Sequence, residues 1–376
     1  MAQYILVGCD LHEKSMLVMI AADRGTPVRR TFPNTSYGRQ RLIAELQRRA
    51  QETGAERIVF AYEASSLGLQ LYDELTEAGI ACHVLAPTKL ARSAHQRRRK
   101  TDEKDALTIL DAVRAHVLAG AALPAAWVPD PSTRADRSLV RLRLRVGEDL
   151  ARLKTQTQAF LKTYGLKRPQ GVESWTQKHW AWLGRLAAGR EGALSESARW
   201  TLESLLRQIR MTEAELARLD TRLAQLAHRP RYAQAAERLR EFTGVGTLIA
   251  MVFLTELGEM SRFRNRRQVA AYLGLAPSCH ESGERQDRKG HITRQGPATV
   301  RKVLCQAVWV RMGCHEPTRA FFAQLAKRAP QRKKIYVVAH MRKLAIRLWH
   351  AALDAQAGRA GEPSGSAPRR SPATSR

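Results

Sequence analysis

The sequence predicts a mixed α/β domain followed by a mostly helical region. Short apolar runs bounded by turn residues crowd the N-terminal part of the chain, which is the pattern of strands. Farther on, apolar residues recur three and four apart over long stretches, which is the pattern of helices. A hydrophobic fraction of 44% beside 26% charged residues is ordinary for a protein with a packed core. The length of 376 residues allows two or three domains at roughly 150 residues each.

The elements follow in order. Residues 4–9 read as a buried strand ending at Asp10, and residues 15–22 as a second strand. Asp23, Arg24 and Gly25 signal a turn into a third strand over 28–32. Tight connections make these three an antiparallel meander. A helix is expected over 37–53, a strand over 57–63 ending at Glu63, a helix over 67–78 and a strand over 81–86. Three antiparallel strands followed by alternating helix and strand is the order of a ribonuclease-H-like domain.

Residues 137–164 predict a helix with Leu139, Leu142, Val146, Leu153 and Phe160 on heptad core positions. Leu202, Leu205, Ile209, Leu216, Leu219, Leu223 and Leu226 keep the same spacing in a second helix. The two predict a coiled-coil-like antiparallel pair or a dimer seam. Between them Trp175, Trp180 and Trp182 either pack between helices or stack on unpaired bases. A final helix is expected over 335–353, and the Gly-, Pro-, Ser- and Arg-rich tail is expected to be disordered. The expected division is 1–136, 137–235, 236–354 and a basic tail over 355–376.

The charge narrows the function. Lys plus Arg is 63 and Asp plus Glu is 35, leaving +28. Such an excess repels itself unless a polyanion neutralises it; nucleic acid does so by releasing condensed counterions, and an anionic membrane surface is the competing partner. No apolar stretch reaches the ~20 residues of a membrane span, and the N-terminus does not read as a signal peptide, so a cytoplasmic location is expected. The five scattered cysteines lack the spacing of a zinc site or disulfide framework.

Four carboxylates stand at element ends. Asp10 and Glu63 end two strands expected to be neighbours, and Asp102 and Asp105 lie three apart at a helix start, on one face. Each alone reads as a turn residue or a helix-dipole partner. Together they supply hard oxygen ligands from several elements, which divalent ions in phosphoryl transfer require. Just before the helix runs the basic segment Arg97, Arg98, Arg99 and Lys100, which either follows a phosphate backbone or is a solvated loop. Farther on, Gly244 and Gly246 flank a turn into an apolar helix, where exposed backbone N–H groups suit phosphate or the turn is a plain connector. Ser282, beside Gly283, is ringed in sequence by Arg264, Arg266, Arg285, Arg288, Lys289, Arg294 and Arg301. A hydroxyl among cations can attack a phosphodiester, although a Ser-Gly pair in a loop is usually a turn.

These residues resemble one family. Gly8-Cys9-Asp10, Tyr62-Glu63-Ala64-Ser65, Lys100 through Ala106, Gly244-Val245-Gly246, and the block from Ala271 through Ser282 to Gly296 and Arg301 look like the DEDD transposases of the IS-110 and IS-1111 insertion-sequence type. The resemblance implies a RuvC-like N-terminal domain, a helical coiled-coil linker and a mostly α C-terminal transposase domain. It implies Mg²⁺ held by Asp10, Glu63, Asp102 and Asp105, with Ser282 as covalent nucleophile. It also implies a structured bridge RNA as guide, donor and target DNA as substrates, and homodimers pairing into tetramers. Residues 284–292, with the acids Glu284 and Asp287, depart most from the family pattern. Two other readings stay open: a RuvC-type Mg²⁺-dependent nuclease for branched DNA without a serine intermediate, and a non-enzymatic nucleic-acid-binding protein.

Overall fold

The computed structural model describes residues 2–65, 67–87, 101–279 and 289–358. The chain forms two compact units, dividing between Val128 and Pro129.

The first unit is a five-stranded sheet with helices on both faces. Its strands are β1 (Tyr4–Leu11), β2 (Ser15–Ala22), β3 (Val28–Pro33), β4 (Arg57–Glu63) and β5 (Ala81–Leu85), in the order β3-β2-β1-β4-β5. β1, β2 and β3 pair antiparallel, whereas β4 runs parallel to β1 and β5 parallel to β4. This mixed sheet fits a RuvC-like fold. Strand alternation sorts the side chains. Ile5, Val7, Cys9 and Leu11 join the core beneath helices α1 (Ser36–Thr53) and α2 (Leu69–Glu77). Leu6 of β1 and Val59 and Ala61 of β4 join the opposite core, shared with helix α3 (Asp102–Ala119). The N-cap of α3 is Thr101, whose hydroxyl accepts from the Lys104 N–H.

Gly8 sets the depth of α3. A Cβ there would lie 2.2 Å from the Ala106 carbonyl oxygen and 2.4 Å from the Leu110 nitrogen. Only glycine lets the helix backbone sit that close to β1.

The second unit opens with α4 (Pro131–Thr163). It starts six residues before the expected 137, because Asp130 caps the Thr133 N–H and Pro131 occupies the first turn. Helix α5 (Gln177–Ala187) follows, then α6 (Glu196–Ala227). Ion pairs Arg143–Asp220 and Lys154–Glu213 show that α4 and α6 run antiparallel. The heptad expectation needs one correction. Leu142 is 46% exposed, whereas Val140, Thr157 and Leu161 are buried. Leu139, Val146, Leu153 and Phe160 are partly buried, so Leu142 alone among the expected positions turns outward. Trp182 is buried, and Trp175 and Trp180 pack on the same small core with Leu161, Leu202 and Leu206.

The rest of this unit is α7 (Ala233–Arg240), α8 (Thr247–Leu257), α9 (Arg266–Tyr272), a hairpin of β6 (Pro277–Cys279) and β7 (Lys289–Ile292), then α10 (Ala298–Cys314), α11 (Glu316–Arg328) and α12 (Lys333–Gln356). Every residue of α8 from Ala250 to Leu257 is buried, so it forms the centre of the largest core. Its buried Glu256 is held bidentately by Arg141, at 2.6 and 2.9 Å. Arg137 of the same helix stands 3.8 Å from that carboxylate and donates to the Thr255 carbonyl, so two arginines tie α4 to α8 here. α12 runs through Ala355 to Gln356, and the remaining tail lies outside the described residues.

Candidate functional site

Asp10 and Asp102 come together where the sheet and α3 meet, and Glu63 and Asp105 are not part of that close cluster. The last β1–β4 pair is Cys9 with Tyr62, so Asp10 and Glu63 each follow it by one residue. Alternation places both on the face covered by α3, after Gly8 and Ala61. The first turn of α3 brings Asp102 and Asp105 to this end. Asp105 is buried, Glu63 is partly buried and Asp102 is exposed.

His12 joins them, a residue sequence reasoning missed. Its Nε2 lies 3.0 Å from Asp10 Oδ2 and 3.4 Å from Asp102 Oδ1. Asp10, His12 and Asp102 each offer a ligand atom, all within 4.8 Å of one another. The available signal was strand spacing: two residues after Asp10, His12 continues the same face as the chain turns toward β2.

Electrostatics give this end a need for positive charge. Burial pushes the Asp10 carboxyl above its ordinary value, and the charges of Asp102 and Asp105 push it further up; His12 opposes them by charge and hydrogen bond. A cation would relieve that repulsion. The spacing fits one as well. His12 Nε2 is hydrogen-bonded to Asp10 Oδ2 at 3.0 Å, and the three donor atoms lie close enough together to share one ion. The third acid of the turn faces elsewhere, with Glu103 accepting from Arg29 of β3 at 3.3 Å.

The serine block forms a second constructed region. Ser282, Arg285 and Arg288 lie outside the described residues, as do Arg97, Arg98, Arg99 and Lys100. Of Lys289 only the backbone is described, as the first residue of β7. What the structure describes is the antiparallel pair β6–β7 and the segments that flank it. The Thr293 N–H donates to the Ala276 carbonyl at 2.9 Å and the Arg294 N–H to that of Gly274 at 3.1 Å. Gly274 and Gly296 both have positive φ, and a Cβ at either would strike backbone, 2.2 Å from Gln295 O and 1.9 Å from Tyr272 O respectively. Arg301 clamps the crossing by donating to the carbonyls of Leu273 and Gly296, both at 3.1 Å.

Two family profiles match this chain. One described as Transposase, built on the DEDD transposases of IS110, matches residues 7–166. One described as Transposase IS116/IS110/IS902 family matches residues 236–323. The chain belongs to this transposase family. A Sinorhizobium fredii protein named as a transposase is 33% identical over 254 residues, covering 68% of this chain and 58% of its own length. The transposase for insertion sequence element IS1533 of Leptospira borgpetersenii is 24% identical over 312 residues, covering 82% of this chain and 86% of its own. The pilin gene-inverting protein of Moraxella bovis is 29% identical over 138 residues, covering 36% of this chain and 42% of its own.

In this transposase-family chain the two matched stretches include the two constructed regions. The other basic residues divide by environment. Arg264, Arg266 and Arg294 are exposed. Arg301 spends its guanidinium on the backbone carbonyls of the hairpin root. Gly244 has φ +83° and a Cβ there would lie 2.6 Å from Ala307 O, so packing against α10 alone accounts for that glycine. Gly246 is exposed at the N-cap of α8, with nothing near the site of a Cβ. Among the described residues no helix is long and apolar enough to cross a membrane.

Proposed function

We propose that this chain is an insertion-sequence transposase that cuts and rejoins DNA through a covalent phosphoserine link at Ser282. The observation that carries the reading is the convergence of Asp10 and Asp102 on one donor cluster, with Glu63 ending the neighbouring strand and Asp105 in the same helical turn as Asp102. Asp10, Glu63, Asp102 and Asp105 would hold Mg²⁺, which when bound polarises a scissile phosphate. Ser282 Oγ attacks phosphorus, a P–O bond forms to the serine, and the bond to one DNA oxygen breaks. The serine proton passes to a base and the departing oxygen ends as a hydroxyl. The reverse attack reseals a strand without ATP, since the ester energy is retained. Exposed Arg264, Arg266 and Arg294, together with Arg285, Arg288 and Lys289, supply cations for DNA and for the developing phosphoryl charge.

The assembly proposed with it is a homodimer pairing into a tetramer on donor and target DNA, guided by a structured bridge RNA and acting at the bacterial nucleoid. A RuvC-like domain over 1–136, a coiled-coil linker over 137–235 and a transposase domain over 236–354 complete the reading. Trapping with donor DNA tests it. Ser282→Ala should abolish the covalent protein–DNA adduct while Mg²⁺-dependent DNA binding persists. An adduct that survives removes the serine, and free ends cut by Ser282→Ala would make the chain a nuclease. A discrete RNA encoded beside the gene should copurify; bulk cellular RNA would count against guidance.

A further inference from the structure

We propose that His12 is a nitrogen donor of the carboxylate centre and biases it toward Mn²⁺ over Mg²⁺. The inference rests on the metal reading above and adds a residue and a selectivity to it. A pure carboxylate site offers hard oxygen alone and suits Mg²⁺. Imidazole suits transition ions, and Mg²⁺ gains little from nitrogen.

The placement is specific. The imidazole bridges the two acids that come from different elements, Asp10 of β1 and Asp102 of α3, with its Nε2 toward both. His12 itself is fixed from the backbone: its N–H donates to the Ser15 carbonyl at 2.8 Å, and its carbonyl accepts from the Asn34 side chain at 2.9 Å. The side chain is 46% exposed, so core packing does not account for it. A hydrogen-bonding role would orient Asp10 and serve all cations alike, whereas a ligand role separates one cation from another. That difference is measurable.

The experiment is Mn²⁺ binding to the full-length protein, followed by electron paramagnetic resonance, with Mg²⁺ as competitor. It is done at about pH 8, where free imidazole side chains are neutral. Asp10→Asn defines the site-specific fraction. The expected result for His12→Ala is a loss of Mn²⁺ affinity of roughly tenfold, with Mg²⁺ affinity held within about twofold. His12→Asn, which restores an oxygen, should keep Mg²⁺ binding and show the same loss of preference. Equal losses for both ions, or no loss for either, overturn the proposal and leave the carboxylate centre standing. Binding that Asp10→Asn does not reduce overturns the metal reading itself. Nitrogen hyperfine coupling on bound Mn²⁺ should be present in the parent protein and absent in both His12 variants.

Discussion

At Gly8 an added Cβ would lie 2.2 Å from the Ala106 carbonyl oxygen, and at Gly296 it would lie 1.9 Å from that of Tyr272. Both contacts bring backbone against backbone, yet they serve different ends. The first lowers a helix onto a sheet, so the acids of that helix meet an acid at a strand end. The second crosses two chain segments at the base of a hairpin and gathers no reactive group among the described residues. In the first unit two of the motif residues, Asp10 and Asp102, belong to the donor cluster itself. In the second, Gly274, Gly296 and Arg301 are the support, and the proposed nucleophile lies beyond them.

The largest effects should separate these roles. Asp10→Asn should remove divalent-ion binding and lower strand cleavage on the order of a thousandfold, since a metal supplies several kcal/mol to phosphoryl transfer. Ser282→Ala should lower adduct formation at least as far and leave ion binding intact. Ion titration and adduct trapping on both variants decide the matter. Loss of ion binding in Ser282→Ala would mean that the two regions are not separate in function.

The glycines come next. Gly296→Ala meets a backbone clash and a φ of +92°, and Gly274→Ala a clash at φ +64°. Overpacking costs about 1–3 kcal/mol, and a left-handed conformation about 1–2 more. Gly8→Ala incurs the clash alone, because its φ is ordinary. Thermal unfolding should therefore rank Gly296→Ala as the more damaging, while only Gly8→Ala weakens ion binding. If Gly8→Ala binds ions normally, the depth of α3 does not set the site.

This contrast also explains which features are legible in the sequence. The strands were legible because tight turns bound them and apolar runs fill them; β2 and β4 fall on the expected residues 15–22 and 57–63. Four acids at element ends stood out as candidates because hard-ion chemistry needs that residue type, and two of them, Asp10 and Asp102, fall in the donor cluster. His12 did not stand out, since a histidine in a turn carries no pattern until the strand's alternation is extended past its end. Leu142 misled because two packed helices bury only a narrow stripe, and Leu142 falls beside that stripe while Leu139 and Phe160 lie along it. The start of α4 was missed because Asp130-Pro131 marks a cap, whereas apolar periodicity registers only the turns beyond the cap. The serine block could not reveal its division of labour, because close backbone crossings have no side-chain signature except glycine itself.

Arg301→Gln should have a middling effect. It removes two charge-assisted bonds to carbonyls, worth about 1–3 kcal/mol together with the cost of leaving acceptors unpaired. Adduct yield should fall several-fold while Mn²⁺ and Mg²⁺ binding stay unchanged. An unchanged adduct yield would show that the hairpin root does not position the serine.

The smallest effect is the sharpest control on the carboxylate centre. Glu103 stands between Asp102 and Asp105 in sequence, so a composition argument would count it with them. The helix turns about 100° per residue, and that rotation carries Glu103 toward Arg29 instead. Both partners of that pair are exposed, at 57% and 47%, so it contributes less than about 1 kcal/mol. Helix-dipole stabilisation adds at most a similar amount. Glu103→Gln should lower stability slightly and leave ion affinity within about twofold of the parent, whereas Asp102→Asn in the same turn should weaken it roughly tenfold or more. Equal losses in the two variants would mean that net charge near the helix N-terminus attracts the ion. The ordering expected here requires instead that donor position, one helical residue apart, decides which acid belongs to the site.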